Sequence, residues 1–289
     1  METTQLPIQM LIEEQVLSKV LEYLPINDVY NFCKAYPHLN ADLFAAQQFC
    51  RKHEIRGELF RHKYSQNRSW KSITQIETPL FTENKFIPNS NSNRFGIEIF
   101  NNIIKASNRN SDRKNVLIAK EMIKSRGNWI IIKQGGNTNL LVLSPIVYYE
   151  VTILPTPPTH NVDDYIISIG LVSQRNYPED KHVGWYGGSI AIHSDDGNLF
   201  YESGSGKSFT KSFKDGTTIG VGFIPSTKQA FFTRNGKIIK DEYIQTSLTE
   251  VYPALGFSTA YSVEINFGMK PFVFDLLGEI ETFVEKESN

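Results

Sequence analysis

The sequence predicts a mainly β protein, an antiparallel two-sheet sandwich that follows a small N-terminal helical segment. Two observations indicate this class. Glycine, which is poor in helix interiors and useful in tight turns, occurs once in residues 1–94 and 18 times in residues 95–289. The later part also contains strand-length apolar runs with no helical pattern between them, which is typical of a sandwich rather than of an α/β fold.

The first predicted helix lies near the N-terminus. Four leucine and valine residues follow the i, i+3, i+4, i+7 spacing that places side chains on one helix face. These residues are Leu17, Val20, Leu21 and Leu24. Pro25 is expected to end or follow this helix.

Two further helices are expected in a helical domain that spans residues 5–63. One begins at an Asn27 or Asp28 cap and is stopped by Pro37. Its expected apolar face consists of Val29, Phe32, Cys33 and Tyr36. The other follows an Asn40 cap and extends toward Leu59. Residues 64–94 are expected to be a linker or extension, because residues 88–93 carry turn chemistry.

Residues 95–276 are predicted to form the sandwich, and residues 277–289 a C-terminal tail. The main strand candidates are Val116–Ala119, Trp129–Ile132, Leu140–Leu143, Tyr148–Ile153 and Ile166–Val172. Turns are predicted at three dipeptides, Asp196-Gly197, Asp215-Gly216 and Asn235-Gly236. The last lies between two apolar strands and predicts a type I′ hairpin.

The composition excludes several classes of protein. With 40% hydrophobic and 21% charged residues, the chain is neither disordered nor a rod. A net charge of -1 supplies no global field for nucleic acid or an anionic membrane, so we expect neither as a partner. Two cysteines, no secretory signal and no long apolar run indicate a cytoplasmic or nuclear location.

No catalytic constellation emerges from the motifs. Residues 204–208 resemble the end of a phosphate-binding loop, but Tyr201 stands where that motif needs glycine. His193, Asp195 and Asp196 favour a β turn over a metal or acid–base site. We therefore expect no enzyme activity, no cofactor and no metal. A basic stretch over residues 105–126 is expected to be a solvated edge, with a nucleic-acid patch as the alternative.

A series of segments after residue 147 resembles SPRY domains of the Ran-binding-protein type. The segments are Tyr148–Ile153, Ile169–Ser173, Gly184–Gly197, Phe231–Gly236, Tyr252-Pro253, Asn266–Gly268 and Pro271–Asp275. This resemblance implies a bent, concanavalin-like sandwich without catalytic activity of its own. It also implies that loops at one edge bind a target protein or peptide.

The N-terminal segment resembles an F-box. The segments that carry this resemblance are Gln15–Leu24, Pro25–Val29, Cys33-Lys34, Tyr36–Leu39 and Arg68–Lys71. Together, the two resemblances imply a substrate adaptor of an SCF-type cullin–RING ubiquitin ligase. In that role the F-box docks on a Skp-type adaptor and the SPRY loops hold the target.

The resemblances also imply two sets of contact residues. The expected contacts with the adaptor groove are Leu17, Val20, Leu21, Leu24, Val29 and Phe32, each of which has the bundle core as an equal alternative. The expected target contacts are Asp112, Arg113, Tyr177, Trp185, Tyr186, Ser258, Thr259 and Tyr261. Trp185 has the core as its alternative, and the proline-rich segment 155–159 is expected to form a rim.

Two other functions are compatible with the sequence. The first keeps the SPRY domain as a protein-interaction scaffold without a ligase. The second is a lectin or glycan-processing enzyme, for which Glu150, Glu202 and Glu264 are the carboxylate candidates.

Overall fold

The chain is described here from a computed structural model. The residues that the structure describes are 21, 24–36, 39–55, 58–61, 69–74, 81–88, 97–106, 115–123, 128–133, 138–155, 166–178, 180–258 and 261–287. The chain divides into two compact units, residues 1–79 with 134–141 and residues 80–133 with 142–289.

The described helices are α1 Ile26–Ala35, α2 Ala41–Lys52, α3 Trp70–Thr74 and α4 Leu276–Glu287. The described strands, in chain order, are β1 Glu58–Arg61, β2 Phe86–Pro88, β3 Ile97–Phe100, β4 Ile103–Ala106, β5 Asn115–Ala119, β6 Asn128–Lys133, β7 Thr138–Ser144, β8 Val147–Ile153, β9 Ile167–Val172, β10 Ser189–His193, β11 Asn198–Tyr201, β12 Lys207–Ser208, β13 Thr218–Ile224, β14 Gln229–Arg234, β15 Lys237–Ile238, β16 Ile244–Gln245, β17 Tyr252–Phe257 and β18 Tyr261–Asn266. Short 3-10 turns cover Phe81–Glu83 and Ile239–Asp241.

Three of the described helices, α1, α2 and α3, lie in the first unit. A buried cluster of Leu21, Val29, Cys33 and Phe44 holds the segment before α1, α1 itself and α2 together. The side-chain amide of Gln48 donates to the carbonyls of Leu21 and Leu24, both at 2.8 Å. Helical domains of this size depend on such a core, because short helices are marginal alone.

Two helix boundaries correct the expectations. Helix α1 begins at Ile26 after Pro25, so Asn27 and Asp28 lie inside it rather than capping it. Pro25 is the N-cap: its carbonyl accepts the N–H groups of Asp28 at 2.9 Å and Val29 at 3.1 Å, and its missing N–H leaves no helix bond unmade. Helix α2 has the predicted Asn40 cap, which accepts the N–H of Leu43 at 3.1 Å. It ends at Lys52 rather than near Leu59, which lies in β1.

The second unit is an antiparallel two-sheet sandwich, as the sequence predicts. A seven-stranded sheet has the order β12-β11-β10-β9-β17-β5-β2, and an eight-stranded sheet has the order β15-β14-β13-β8-β18-β4-β3. Tyr149 of β8 is fully buried, and its hydroxyl donates to the carbonyl of Gly170 on β9 at 2.6 Å. One side chain therefore links the two sheets through the core.

The Asn235-Gly236 hairpin is confirmed. Both residues have positive φ, 50° and 78°, which is the requirement of a type I′ turn. The Asn235 side chain also accepts the N–H of Thr218 at 2.9 Å. This turn joins β14 to the two-residue strand β15, which forms one edge of the eight-stranded sheet.

Two parts of the chain depart from the expected division into helix first and strand later. Strand β2 lies in the segment expected to be a linker, and it pairs with β5 in the seven-stranded sheet. The expected C-terminal tail forms helix α4, whose first turn is capped by Asp275 accepting the N–H of Gly278 at 3.0 Å. Leu276 and Ile280 bury one face of α4. No described helix has the length and apolarity that crossing a membrane requires.

Candidate functional site

The loop between β9 and β10, residues 173–188, contains three of the predicted target contacts. Tyr177 is 3% exposed, and its hydroxyl joins separate parts of this loop. That hydroxyl donates to the carbonyl of His182 at 2.8 Å and accepts the N–H of Tyr186 at 3.1 Å. Its oxygen also lies 3.1 Å from Ser189 Oγ. Tyr177 therefore supports the loop from inside instead of presenting a contact surface, which corrects its expected role.

The backbone of the same loop is fixed by a glycine and a serine. Gly184 has a φ of 96°, and a Cβ there would lie 2.8 Å from the carbonyl oxygen of Phe200, so only glycine fits. Its N–H donates to Ser189 Oγ at 3.1 Å. Ser203 closes the turn by donating its N–H to the carbonyl of Gly184 at 3.0 Å. These two hydrogen bonds fix the backbone of Gly184 and therefore the position of the next residue, Trp185.

Trp185 is half-buried in an aromatic cluster. Its ring centroid lies 5.1 Å from that of His182, 5.6 Å from that of His193 and 6.2 Å from that of Phe200. The indole Nε1 is buried and has no hydrogen-bond acceptor among the described residues. A buried donor in this state costs about 1–3 kcal/mol. Trp185 is thus partly buried among core side chains, and its contact with a target stays a prediction.

Tyr186, the next residue along the loop, is more exposed than the cluster around Trp185. It is 49% exposed, while its ring packs edge-on against Tyr177 at a centroid distance of 6.0 Å. Its backbone is fixed by Tyr177 on one side, and its carbonyl accepts from Ser189 Oγ. A rigidly mounted tyrosine offers a large apolar area at little entropic cost, which is the property of residues that dominate protein interfaces.

The electrostatics beneath this surface are neutral. Burial lowers the pKa of His193 to about 4, and its Nε2 lies 2.9 Å from the carbonyl of Val183. Burial likewise raises the pKa of the Tyr177 hydroxyl. Both groups are therefore uncharged at neutral pH. Because His193 and Tyr177 lie uncharged beneath Trp185 and Tyr186, this surface favours apolar and neutral polar partners over highly charged ones.

Two of the remaining predicted target contacts, Ser258 and Tyr261, are buried and do not join this surface. Ser258 is 4% exposed and accepts the N–H of Ile166 at 3.1 Å, and Tyr261 is 6% exposed at the start of β18. These two side chains hold the loop ends in the sandwich, which corrects their expected role. Asp112, Arg113 and Thr259 lie outside the described residues, as does most of the segment 155–159.

The predicted adaptor contacts differ in how deeply the first unit buries them. Leu21 and Val29 are fully buried in the helical core, so the alternative of a core role holds for both. Leu24 and Phe32 are partly buried against that core. Leu17 and Val20 lie outside the described residues. Buried side chains cannot enter a partner's groove while the helices stay folded, which corrects the expectation for Leu21 and Val29.

Two exposed apolar residues of the helical unit were not singled out as contacts. Tyr36, at the end of α1, is 47% exposed, and Leu43, in the first turn of α2, is 52% exposed. The helical spacing places Tyr36 on the same face as Val29 and Phe32, and only the structure shows that the helix end leaves it at the surface. Trp70 of α3 is buried, with its ring 5.8 Å from that of Phe49.

The candidate chemical groups have structural roles. Among the described residues, no cluster of His, Cys, Asp and Glu could hold a metal ion. The three carboxylates considered for glycan processing are each engaged. Glu150 accepts the N–H of Val273, Glu202 accepts that of Gly188, and Glu264 pairs with Lys270. Each of the three carboxylates therefore has a structural partner.

Comparison with known proteins gives a match within the second unit. Residues 146–270 match the model of the SPRY domain. Protein ssh4 of Sclerotinia sclerotiorum is 34% identical over 139 residues, which are 47% of this chain and 25% of that protein. The Ran-binding proteins 9/10 homolog of Drosophila melanogaster is 33% identical over 147 residues, 50% of this chain and 14% of that protein.

Further relatives cover similar shares. SPRY domain-containing protein 3 of Homo sapiens is 31% identical over 153 residues, which are 50% of this chain and 32% of that protein. A crystal structure of a human SPRY domain aligns with a TM-score of 0.46 at 25% identity, covering 61% of this chain and 97% of that structure. The chain thus spans from 14% to 32% of the length of these three relatives.

Proposed function

From the SPRY domain formed by residues 146–270, we propose that this chain is a protein-interaction module that binds a target protein through the surface of Trp185 and Tyr186. The observation that carries the proposal is the exposed Tyr186, whose backbone is held by Tyr177 and Ser189 beside the half-buried Trp185. Such a pair fits a peptide that carries an apolar side chain.

A selection from a random peptide library displayed on phage, with the full chain as bait, tests this proposal. Peptides enriched on the wild type should bind Tyr186→Asp at least about tenfold more weakly, because a desolvated anchor is replaced by a charge. The matched control is Val273→Asp, since Val273 is also exposed, at 57%, and lies outside the loop. Enriched peptides that bind Tyr186→Asp as tightly as the control contradict the proposed surface.

The finer part of the proposal is that the chain acts as a substrate adaptor of a cullin–RING ubiquitin ligase. The resemblance of the N-terminal segment to an F-box supports it, as does the compact helical unit that contains α1, α2 and α3. In this role the chain has no catalytic residue. It contributes proximity, because a target held beside the ubiquitin-transfer machinery reacts as if at high local concentration.

Co-purification of the full chain with the Skp-type adaptor of its own cell tests the adaptor role. The informative variant is Tyr36→Asp combined with Leu43→Asp, since both side chains are exposed and the helices should remain folded. A variant at Leu21 is unsuitable because that side chain is fully buried. Phe100→Asp, at a residue that is 75% exposed in the second unit, is the control.

Capture by the wild type and by Phe100→Asp, with loss in the double variant, supports the adaptor role. Absence of capture by the wild type favours the second candidate, a SPRY scaffold without a ligase. One observation already favours that candidate, namely that Leu21 and Val29 are buried within the helical unit itself.

A further inference from the structure

We propose that the SPRY sandwich carries a second binding site, a basic groove that takes an extended acidic segment of a partner protein. The groove, lined by residues 208–211, 234 and 237–240, has a volume of about 460 Å³. It shares no residue with the 173–188 loop, so the two sites are separable by substitution.

The groove lies between the edges of the two sheets. Strand β12 is the edge of the seven-stranded sheet, and β15 is the edge of the eight-stranded sheet. Among the described residues, each pairs with one neighbouring strand only, β12 with β11 and β15 with β14. Edge strands present unpaired backbone N–H and C=O groups, which an extended peptide can use for hydrogen bonds.

The charge of the groove has one sign. Four cationic side chains line it, those of Lys211, Arg234, Lys237 and Lys240, and none of the described lining residues is acidic. The acidic residues that follow in the chain, Asp241 and Glu242, are exposed and lie outside the lining. A concave surface of uniform charge concentrates the field and attracts ligands of the opposite sign.

Two of these cations shape the groove. The guanidinium of Arg234 donates to the carbonyl of Lys211 at 2.8 Å and to that of Ser212 at 3.2 Å. The Lys240 ammonium donates to the carbonyl of Ser208 at 2.8 Å. These bonds fix the positions of the two positive charges in the free protein, so a ligand does not have to order them.

The other two cations are available to a ligand. Lys211 and Lys237 are exposed, and within the described part of the chain no ion pair involves either of them. Their ammonium groups can pair with carboxylates of a bound segment. The ligand chemistry is therefore an acidic chain in extended conformation, with backbone groups for the edge and carboxylates for the lysines.

Other occupants fit this groove less well. A second copy of the chain would bring its own lysines against these, because its β12 and β15 edges have the same charge. Single-stranded nucleic acid needs exposed aromatic rings for stacking, whereas Phe209 is the one aromatic in the described lining and is 4% exposed. A flat membrane surface cannot enter a groove between two sheet edges.

Fluorescence anisotropy with the full chain tests the proposal. The probe is a labelled peptide of about twelve residues with alternating Ser and Glu, which in extended form places every carboxylate on one face. We expect a dissociation constant on the order of 10–100 µM at low salt that weakens as salt is added. A peptide of alternating Ser and Gln should bind at least about tenfold more weakly.

Charge reversal at two lysines locates the binding. Lys211→Glu combined with Lys237→Glu should weaken the Ser-Glu peptide by at least about tenfold. The control is Lys85→Glu combined with Lys286→Glu, two exposed lysines outside the groove whose reversal changes the net charge equally. Its affinity should stay within about threefold of the wild type.

Three results would overturn the proposal. The first is no binding of the acidic peptide by the wild type. The second is equal weakening by the groove variant and by the control, which indicates net charge alone. The third is tighter binding of a thymidine oligonucleotide of the same length than of the peptide, together with loss of that oligonucleotide binding in the groove variant. This result would make the groove a nucleic-acid site.

Discussion

Replacing Tyr177 with phenylalanine removes one oxygen from the interior of the 173–188 loop and leaves the ring in place. In the wild type, that oxygen is bonded to the carbonyl of His182 and to the N–H of Tyr186. Because the ring is retained, the packing against Val172 and Val183 should persist. The variant therefore tests whether the hydroxyl positions the proposed binding surface.

The magnitude follows from the number of lost hydrogen bonds. A typical net contribution is about 0.5–1.5 kcal/mol per bond, so two lost bonds cost roughly 1–3 kcal/mol. The contact with Ser189 adds little, since Ser189 Oγ keeps the N–H of Gly184 and the carbonyl of Tyr186 as partners. The loss is local, so the loop should open more often while the sandwich stays folded.

Amide hydrogen exchange of the full chain measures this opening. The Tyr186 amide, which loses its acceptor, should exchange about 10- to 100-fold faster in Tyr177→Phe. Tyr186→Phe is the matched control, because it removes a hydroxyl from a side chain that is 49% exposed. Equal exchange in the wild type and in Tyr177→Phe would refute the supporting role of the hydroxyl.

Three more predictions concern the sandwich. The pKa of His193 is about 4 in the folded protein, below its unfolded value of 6.5. The unfolding free energy should therefore fall by up to about 3 kcal/mol as pH drops from 6.5 to 4. In urea titrations, His193→Gln should reduce this dependence of the unfolding free energy on pH. Glu150→Ala should lower the unfolding free energy by about 3 kcal/mol, since buried N–H groups lose their acceptor; a loss below about 1 kcal/mol contradicts this. Gly236→Ala should lower the unfolding free energy by about 1–3 kcal/mol, measured by thermal unfolding, because the φ of Gly236 is 78° and a Cβ would lie 2.6 Å from the Val273 carbonyl oxygen. Gly204→Ala is the control and should leave the unfolding free energy unchanged, because a Cβ there has no neighbour within 4 Å. Equal melting temperatures for the two glycine variants would be inconsistent with this account.

The features that sequence predicts well are local ones. The Asn235-Gly236 hairpin follows from two adjacent residues that tolerate positive φ, and the structure shows both in that region. The Asn40 cap depends on a side chain and an N–H three residues apart. Alternation and apolar runs fix the strands because a buried strand needs apolar side chains whatever its partner is.

The features that sequence misses depend on distant partners. From the sequence, Tyr177 is predicted to be an exposed loop residue. In the structure its hydroxyl is hydrogen-bonded to backbone groups five and nine residues further along the chain, and local sequence patterns do not predict these contacts. Helix α4 has apolar residues at helical spacing, Leu276, Ile280 and Val284, but Gly278 weakens that signal. The basic groove arises from two segments that lie some 25 residues apart in sequence, so only the meeting of β12 and β15 at the sheet edges creates it.

The most direct test of the central claim is hydrogen exchange of the full chain with and without a peptide selected from the displayed library. The account predicts that the peptide slows exchange in residues 180–188, around Trp185 and Tyr186, and that Tyr186→Asp removes the protection. Protection that lies outside this loop, or that survives Tyr186→Asp, would contradict the claim that this surface binds the target.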